Sequence, residues 1–489
     1  MIRKLTENKV LVYSLILTII VLSIIPAVRF FYYDNLLVGE EPYYHIRMAR
    51  YILEKGIPSN DVLVDSPYLF QPLHLILAGV SFLGLDLASF LVPYLFGILS
   101  VILLNHILKG LKVPLVNRFF ILFILIISPI FIFTFSTLNS YLLPVFILLL
   151  AFFFFIEKKK PLFFRKKFNI RKKIYHVLSL ILFAVLPFFD IITFLFGLSV
   201  IFIYTLNNWN KLKGFYNILF ISVIIALIRY VIYIIKYGLP YISFNSTLLA
   251  NYLSELGGLL SFGVFNIILA AMGLYLMWNN KKQISGYILL FIAVILSLYF
   301  NPINIYLNFI FAVTAGYAFV SFVKMHYSLA VIKKLTIILL LVGLLFSTIS
   351  YTARVSNILP DTSVVDSFEW LKSNSNQEDI IFSHYTKGNW IQTISKRKVL
   401  LNSNLIYIED AKSKLNASET IFYSRTLKKT VSLLDEYNIS YIWIDSEMKK
   451  GLVWTEEDEG LLFLFSNKEE FRKVYDKGEI EIWKVLRES

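Results

Sequence analysis

The sequence predicts a polytopic α-helical membrane protein carrying a C-terminal mixed α/β soluble domain. Three observations predict it. The chain of 489 residues is 57% hydrophobic and only 16% charged, whereas soluble globular chains run near half apolar and a quarter charged. Its apolar stretches are continuous and long enough to cross a bilayer as helices, without the alternation of a membrane β-barrel. Charge is also divided unevenly. Residues 1–351 hold 28 Lys and Arg against 11 Asp and Glu, while residues 352–489 hold 19 against 22.

The absence of cysteine excludes disulfides, zinc–thiolate sites, iron–sulfur clusters and thiol nucleophiles. The net charge of +14 is carried mostly between apolar runs. That placement reads as cytoplasmic loops meeting anionic lipid, and not as a nucleic-acid surface. The first apolar run, Val10 to Phe31, follows Lys4 and Lys9. It is too long for a signal-peptide core and lacks a small-residue cleavage site, so it reads as a retained first span.

Spans are expected at 10–31, 87–108, 116–135, 138–156, 174–189, 190–206, 215–236, 262–278, 284–300, 303–323 and 331–351, eleven in all. The run 69–85 is shorter and contains Pro72 and His74. Charge parity decides its place. The loop 157–173 carries nine Lys and Arg and should lie on the same side as Lys4 and Lys9. An even number of spans must intervene, which makes 69–85 a juxtamembrane helix at the outer interface. The N-terminus is then cytoplasmic in a multi-pass plasma-membrane protein. Residues 32–86, 237–261 and the tail from 352 face outward, and residues 1–351 form the membrane domain.

In the tail, DSFEWLKSN and residues 419–437 read as helices, and DIIFSHY, KVLL, YIWID and IEIWKV as strands. Trp370, Trp390, Trp443 and Trp483 are candidates for its core.

Acidic residues are costly near a bilayer, so their positions are informative. Seven of the eleven in the membrane domain fall in the first outer loop: Asp34, Glu40, Glu41, Glu54, Asp61, Asp65 and Asp86. The densest stretch is 39–51, GEEPYYHIRMARY. Its carboxylates could hold a divalent cation or act as a base, and its Arg could grip phosphate. Glu41 could instead favour a helix N-terminus. His45 could serve as a structural hydrogen-bonding group, and Arg47 could pair with Glu40 or Glu41. Asp190 stands at a tight turn between two spans, where it could act as a carboxylate of the site or cap the turn. Glu255 precedes Gly257-Gly258 on the external loop.

Glu41-Pro42-Tyr43-Tyr44-His45-Ile46-Arg47 resembles the first external loop of the catalytic subunit of oligosaccharyltransferase, including its archaeal and bacterial single-chain form. The likeness continues through Gln71-Pro72-Leu73-His74, Pro93, Gly97 and Lys109. It returns at Ser254-Glu255, which resembles the family's external-loop motif ending in Glu. It returns again in the tail at Ser383, Gly388, Trp390, Ile391, Lys396-Arg397 and Asn402. The resemblance implies the GT-C glycosyltransferase fold. It also implies transfer of sugar from a polyprenyl (dolichyl-type) phosphate or pyrophosphate donor to an acceptor, which in that family is Asn of a protein. Mn²⁺ or Mg²⁺ would be held by acidic residues of the first two outer loops. A Trp-Trp-Asp motif would grip the acceptor, and the external-loop Glu would engage the acceptor or metal region.

The sequence departs from that pattern at three places. The second outer loop, 134–140, offers Asn139 and Ser140 where the family has carboxylates. The Trp-Trp-Asp positions read His384-Tyr385-Thr386, and the family's Arg near the tenth span is replaced by Asn301 and Asn304. The expected site is therefore Glu41 as base or metal ligand, with Glu40 and Asp190 as further catalytic carboxylates and Asn139 as a neutral metal ligand. His45, Arg47, Glu255, His384, Tyr385, Thr386 and Trp390 would contact donor or acceptor, which could be protein or lipid. The alternative is a catalytically silent paralogue that binds lipid-linked sugar or scaffolds a glycosylation complex. A transporter is the remaining alternative, but no internal repeat and almost no midplane charge support it.

Overall fold

The computed structural model describes residues 6–33, 36–64, 66–68, 70–157, 165–206, 215–237, 252–278, 284–405, 408, 410–456 and 458–486. Asp34, Asp65, most of the expected external loop 237–261 and part of the basic loop 157–173 lie outside them. The chain divides into two compact units. A membrane unit takes residues 1–31, 89–233 and 244–357, and an α/β unit takes 32–88, 234–243 and 358–489. The first outer segment thus folds with the C-terminal residues.

In the membrane unit every expected span is occupied by an apolar helix: α1 (Glu7–Tyr33), α4 (Leu85–Gly110), α5 (Leu115–Ile126) with α6 (Pro129–Ser136), α7 (Leu142–Glu157), α8 (Arg165–Val185), α9 (Ile191–Leu206), α10 (Phe215–Tyr237), α11 (Val264–Met277), α12 (Ile284–Tyr299), α13 (Ile303–Lys324) and α14 (Ala330–Ser356). By length and composition four of these can cross a membrane alone, or five if α5 and α6 form one span. The count of eleven therefore remains an expectation drawn from the apolar runs. The expected single span 116–135 is broken, because α5 and α6 meet at 65°. Pro129 has no N–H to continue the ladder. The break is held by Ser128, whose Oγ donates to the Leu125 carbonyl at 2.6 Å and accepts from Asn308 Nδ2 at 2.8 Å. Helices α11 and α13 pack most closely at Gly273, where a Cβ would lie 2.0 Å from the Thr314 carbonyl oxygen. Small residues permit this approach in apolar bundles.

The α/β unit begins with α2 (Glu41–Lys55), a two-residue hairpin of β1 (Asn60–Asp61) and β2 (Ser66–Pro67), and α3 (Pro72–Gly79). Helix α3 and a following 3₁₀ turn, Ser81–Leu83, occupy the expected juxtamembrane run 69–85. The C-terminal part is a five-stranded sheet of order β4-β3-β5-β7-β6, with β3 (Ile380–Phe382), β4 (Lys398–Val399), β5 (Ile439–Ile444), β6 (Phe471–Lys477) and β7 (Ile480–Val485). Strand β3 runs parallel to β4 and β5, and the remaining pairs are antiparallel. Strand β6 was not expected. Its charged FRKVYDK reads as solvent-facing, as edge strands commonly do.

Helix α15 (Thr362–Asn374) is capped by Asp361, whose Oδ1 accepts from the Val364 N–H at 3.0 Å. The helix expected at 419–437 is instead two, α16 (Ala411–Tyr423) and α17 (Leu427–Glu436), broken at 424–426. Trp443 and Trp390 are buried, together with Trp454, which sequence reading passed over. Trp370 and Trp483 are only half-buried.

Gly388 starts the turn that carries Trp390. A Cβ there would meet the Leu401 carbonyl oxygen at 2.4 Å and Asn402 Cα at 2.7 Å. Backbone cannot yield as a flexible side chain can. Gly388→Ala should therefore destabilise the α/β unit by about 1–3 kcal/mol, read as a lowered thermal-unfolding midpoint. An unchanged midpoint would show that the turn relaxes freely.

Candidate functional site

Helix α2 starts at Glu41, with Pro42 in its first turn and Glu40 at the N-cap position. Acid in a first turn complements the helix dipole. The helix buries Tyr43, Tyr44, His45, Ile46, Met48 and Ala49, which fixes what faces the interior and leaves Glu40 and Glu41 at one end.

The C-terminal residues hold this end in place. The Trp390 indole Nε1 donates to the Gly39 carbonyl at 2.9 Å, and the Gly39 N–H donates to the Leu359 carbonyl at 3.1 Å. Thr393 Oγ1 donates to the Tyr43 carbonyl at 3.1 Å. Beneath Trp390 lies Lys387, 2% exposed, with its Nζ 5.0 Å over the indole ring. Lys387 pairs with buried Asp445 at 2.8 Å and also with Glu447. A buried cation is tolerable only with such partners.

Glu40 accepts from Asn389 Nδ2 at 3.5 Å. Burial, with the charge of Glu41 beside it, pushes its carboxyl up to about 8, although a hydrogen bond from Ser403 and the Lys387 charge oppose the shift. Glu41 keeps 35% of its side chain exposed, and its Oε1 lies 3.6 Å from His45 Nε2. His45 itself is fully buried.

Arg47 pairs with neither Glu40 nor Glu41. Its guanidinium grips Asp61 with two bonds of 2.6 Å and donates to Gln392 Oε1 at 3.1 Å. This bidentate pair ties α2 to β1 and to the segment after Trp390. At the Trp-Trp-Asp positions, His384 Nδ1 is 2.8 Å from Thr386 Oγ1, and its ring lies on Tyr385 at 4.3 Å. Burial and then the Lys387 charge push His384 down to about 4, so its imidazole is neutral at pH 7.

The other expected site residues belong to the membrane unit. Asp190 caps α9: its Oδ2 accepts from the Thr193 N–H at 2.7 Å and Oγ1 at 2.6 Å, and from Tyr306 at 3.2 Å. Glu255 Oε1 accepts from the Val264 N–H at 3.2 Å, at the start of α11, and from Ser347 Oγ. Arg354 fastens the same segment by donating to the carbonyls of Ser254 and Gly258. Asn139 Oδ1 accepts from the N–H groups of Tyr141 and Leu142 at 3.0 and 3.2 Å, while its amide donates to the carbonyls of Thr134 and Thr137.

The donor set fits a divalent cation poorly. Such ions take several hard oxygen ligands, mostly carboxylate. Residues 134–140 supply no carboxylate, and Asn139 spends its oxygen on backbone N–H groups. Among the described residues, no three His, Asp or Glu side chains gather closely enough to hold a metal ion.

Sequence reading passed over two partners at this site, Asp61 for Arg47 and His74 for His45, whose Nε2 lies 2.9 Å from His45 Nδ1. His74 was visible as a polar residue of the run 69–85 and in the Gln71–His74 resemblance, but the long loop between α2 and α3 hid its pairing.

No family model and no curated protein matches the chain in sequence. Solved structures do match it. The archaeal oligosaccharyltransferase AglB from Archaeoglobus fulgidus, in complex with an inhibitory peptide and a dolichol-phosphate, gives a TM-score of 0.65 at 13% identity over 97% of this chain and 74% of that one. The Archaeoglobus fulgidus oligosaccharyltransferase in complex with Zn and sulfate gives 0.62 at 14% identity over 94% and 71%. ArnT from Cupriavidus metallidurans bound to undecaprenyl phosphate gives 0.54 at 8% identity over 96% and 97%. At these identities the likeness establishes the fold, and the chain has the GT-C fold of membrane glycosyltransferases.

Proposed function

We propose that this chain is an oligosaccharyltransferase-like membrane glycosyltransferase. It moves sugar from a polyprenyl phosphate or pyrophosphate donor to an acceptor at the outer face of the plasma membrane. The basic loops support a cytoplasmic N-terminus and an outer α/β unit. The observation that carries the reading is the carboxylate pair at the start of α2. The Glu40 carboxyl is pushed up to about 8 and toward its protonated form, while Glu41 beside it keeps 35% of its side chain exposed. Neighbouring carboxyls with different environments are a recurrent acid–base arrangement.

In this reading the acceptor's nucleophilic N or O attacks the anomeric carbon of the donor sugar. The bond from that carbon to the phosphate oxygen breaks, and the phosphate leaves on its lipid. Glu41 takes the proton lost by the nucleophile. Neutral Glu40 adds no second negative charge beside the departing phosphate. Trp390 and Lys387 hold the backbone that carries both carboxyls. His384, Tyr385 and Thr386 form a neutral aromatic and hydroxyl surface where an acceptor could lie, in place of the charged grip of the resembling family.

Two further observations support a lipid-linked donor. The compared enzymes bind dolichol-phosphate and undecaprenyl phosphate. The membrane unit also contains a cavity of about 740 Å³, lined almost wholly by apolar side chains such as Phe196, Val200, Leu290 and Ala293, with room for an isoprenoid tail.

The deciding test is transfer by the purified protein from a polyprenyl-linked oligosaccharide to an Asn-X-Thr peptide, read as peptide mass. A sugar adduct is expected. Because the donor set does not fit a dication, transfer should persist in EDTA. Glu41→Gln should lower kcat by about 10²–10⁴-fold, the usual weight of a general base. Full activity in that variant would remove Glu41 from the mechanism. No adduct despite bound donor would favour another acceptor or a silent paralogue.

Glu40 yields a stability prediction with a definite sign. Its folded value of about 8 lies above its ordinary value of 4.5. The contribution is therefore fully present below pH 4.5 and is lost as pH rises towards 8. Glu40→Gln cannot titrate. The midpoint of the variant relative to wild type should rise between pH 5 and pH 8, and a difference independent of pH would mean that Glu40 is not held protonated.

A further inference from the structure

A buried hydrogen-bond chain runs behind Glu41. Tyr68 OH lies 2.6 Å from His74 Nδ1, His74 Nε2 lies 2.9 Å from His45 Nδ1, and His45 Nε2 faces Glu41 Oε1 at 3.6 Å. Both imidazoles are fully buried, and Tyr68 is 7% exposed. Tyr44 closes the group, its ring centroid 5.5 Å from each imidazole, and packs with Met48 and Tyr68. Three elements contribute: α2 gives His45, the segment after β2 gives Tyr68, and α3 gives His74. His74 stands two residues after Pro72, in the first turn of α3, and is buried.

We propose that Tyr68 and His74 are positioning residues that lock His45 as the Nε2–H tautomer aimed at the Glu41 carboxylate. The inference rests on the reading of Glu41 as the group that activates the acceptor.

Hydrogen-bond accounting fixes the direction of the chain. His45 Nε2 faces a carboxylate oxygen, which favours a proton on that nitrogen, since the reverse order would set the Nε2 lone pair against carboxylate lone pairs. A neutral imidazole has one N–H, so His45 is then bare at Nδ1 and accepts from His74 Nε2. His74 is in turn bare at Nδ1 and accepts from the Tyr68 hydroxyl.

Neutrality is enforced by surroundings. Burial, the neighbouring His45 and the Arg47 guanidinium all push His74 well below its ordinary value, and burial pushes Tyr68 up to about 12. A second proton on His74 would be a buried charge near the Arg47 guanidinium. Each group in the chain donates toward Glu41, and the His45 Nε2–H faces its carboxylate at 3.6 Å. Such an arrangement orients a carboxylate and holds its basic oxygen toward the open side, without itself contacting the substrate.

The test uses the full chain in lipid nanodiscs, labelled with ¹⁵N-histidine, and reads the ring nitrogens of the six histidines by solid-state NMR. In wild type, His45 should show a protonated Nε2 and a bare Nδ1, and His74 the same pattern. Tyr68→Phe removes one hydroxyl and should scramble the His74 tautomer. His74→Phe should scramble that of His45, and His74→Gln, whose amide can accept from Tyr68 and donate to His45, should restore it.

In the transfer assay, His74→Phe should lower kcat about tenfold or more with KM little changed, as expected for a misaimed group, and His74→Gln should recover most of it. If His74→Phe fails to fold, Tyr68→Phe reads the same tautomers. Unchanged His45 signals in Tyr68→Phe and in any folded His74→Phe sample overturn the proposal, whatever the activity. Tautomers as described, with Glu41→Gln fully active, would leave the chain standing and remove the catalytic reading on which its purpose rests.

Discussion

The hydrogen bond from the Trp390 indole to the carbonyl of Gly39 joins two residues 351 positions apart. The rest of the α/β unit depends on it. Gly39 immediately precedes the two carboxyls, so fixing its peptide fixes where α2 begins. Lys387 and its acidic partners hold Trp390 from below, and Gly388 lets the turn approach residues 401–402 closely enough to aim the indole. The Arg47–Asp61–Gln392 cluster secures the same helix one turn further on. Two separated stretches of chain thus become one scaffold, and neither could place Glu41 alone.

The chemistry follows from how unequally this scaffold treats neighbouring groups. The Glu40 carboxyl is pushed up to about 8, while Glu41 beside it keeps 35% of its side chain exposed. Arg47, a ready phosphate ligand by composition, is committed to Asp61. Asp190, Glu255 and Asn139 each satisfy backbone N–H groups of the membrane unit. These side chains position backbone first, and any contact with substrate must be compatible with that work. Glu41 differs in keeping 35% of its side chain exposed, with the His45 imidazole facing it.

Much of the fold was legible in the sequence because bilayer helices write themselves as long apolar runs, and every expected run is helical. The parallel core strands were legible as apolar runs around Ile381 and Ile442. The break at Ser128–Pro129 was written in the proline but masked by continuous hydrophobicity on both sides. Strand β6 was missed because Arg472, Lys473, Asp476 and Lys477 resemble a loop until a partner strand is known. At the site, Glu40, Glu41, His45 and Trp390 stood out through their types and the family resemblance. Asp61 and His74 did not. Each gains its meaning from a partner on another element, and no local periodicity carries that information.

The pairing of the first outer segment with the C-terminal residues also dictates an order of events. Gly39 is made early, and Trp390 only 351 residues later. At synthesis rates of roughly 5–20 residues per second, that interval is on the order of tens of seconds. During it, α2 has neither the indole nor Gln392 to hold it, and its buried face of Tyr43, Tyr44 and Ile46 has no tail to pack against. Glu40 and Glu41 are not held in place until Trp390 has emerged. A product stalled before that residue would possess its apolar helices and yet lack the bonds that fix the start of α2.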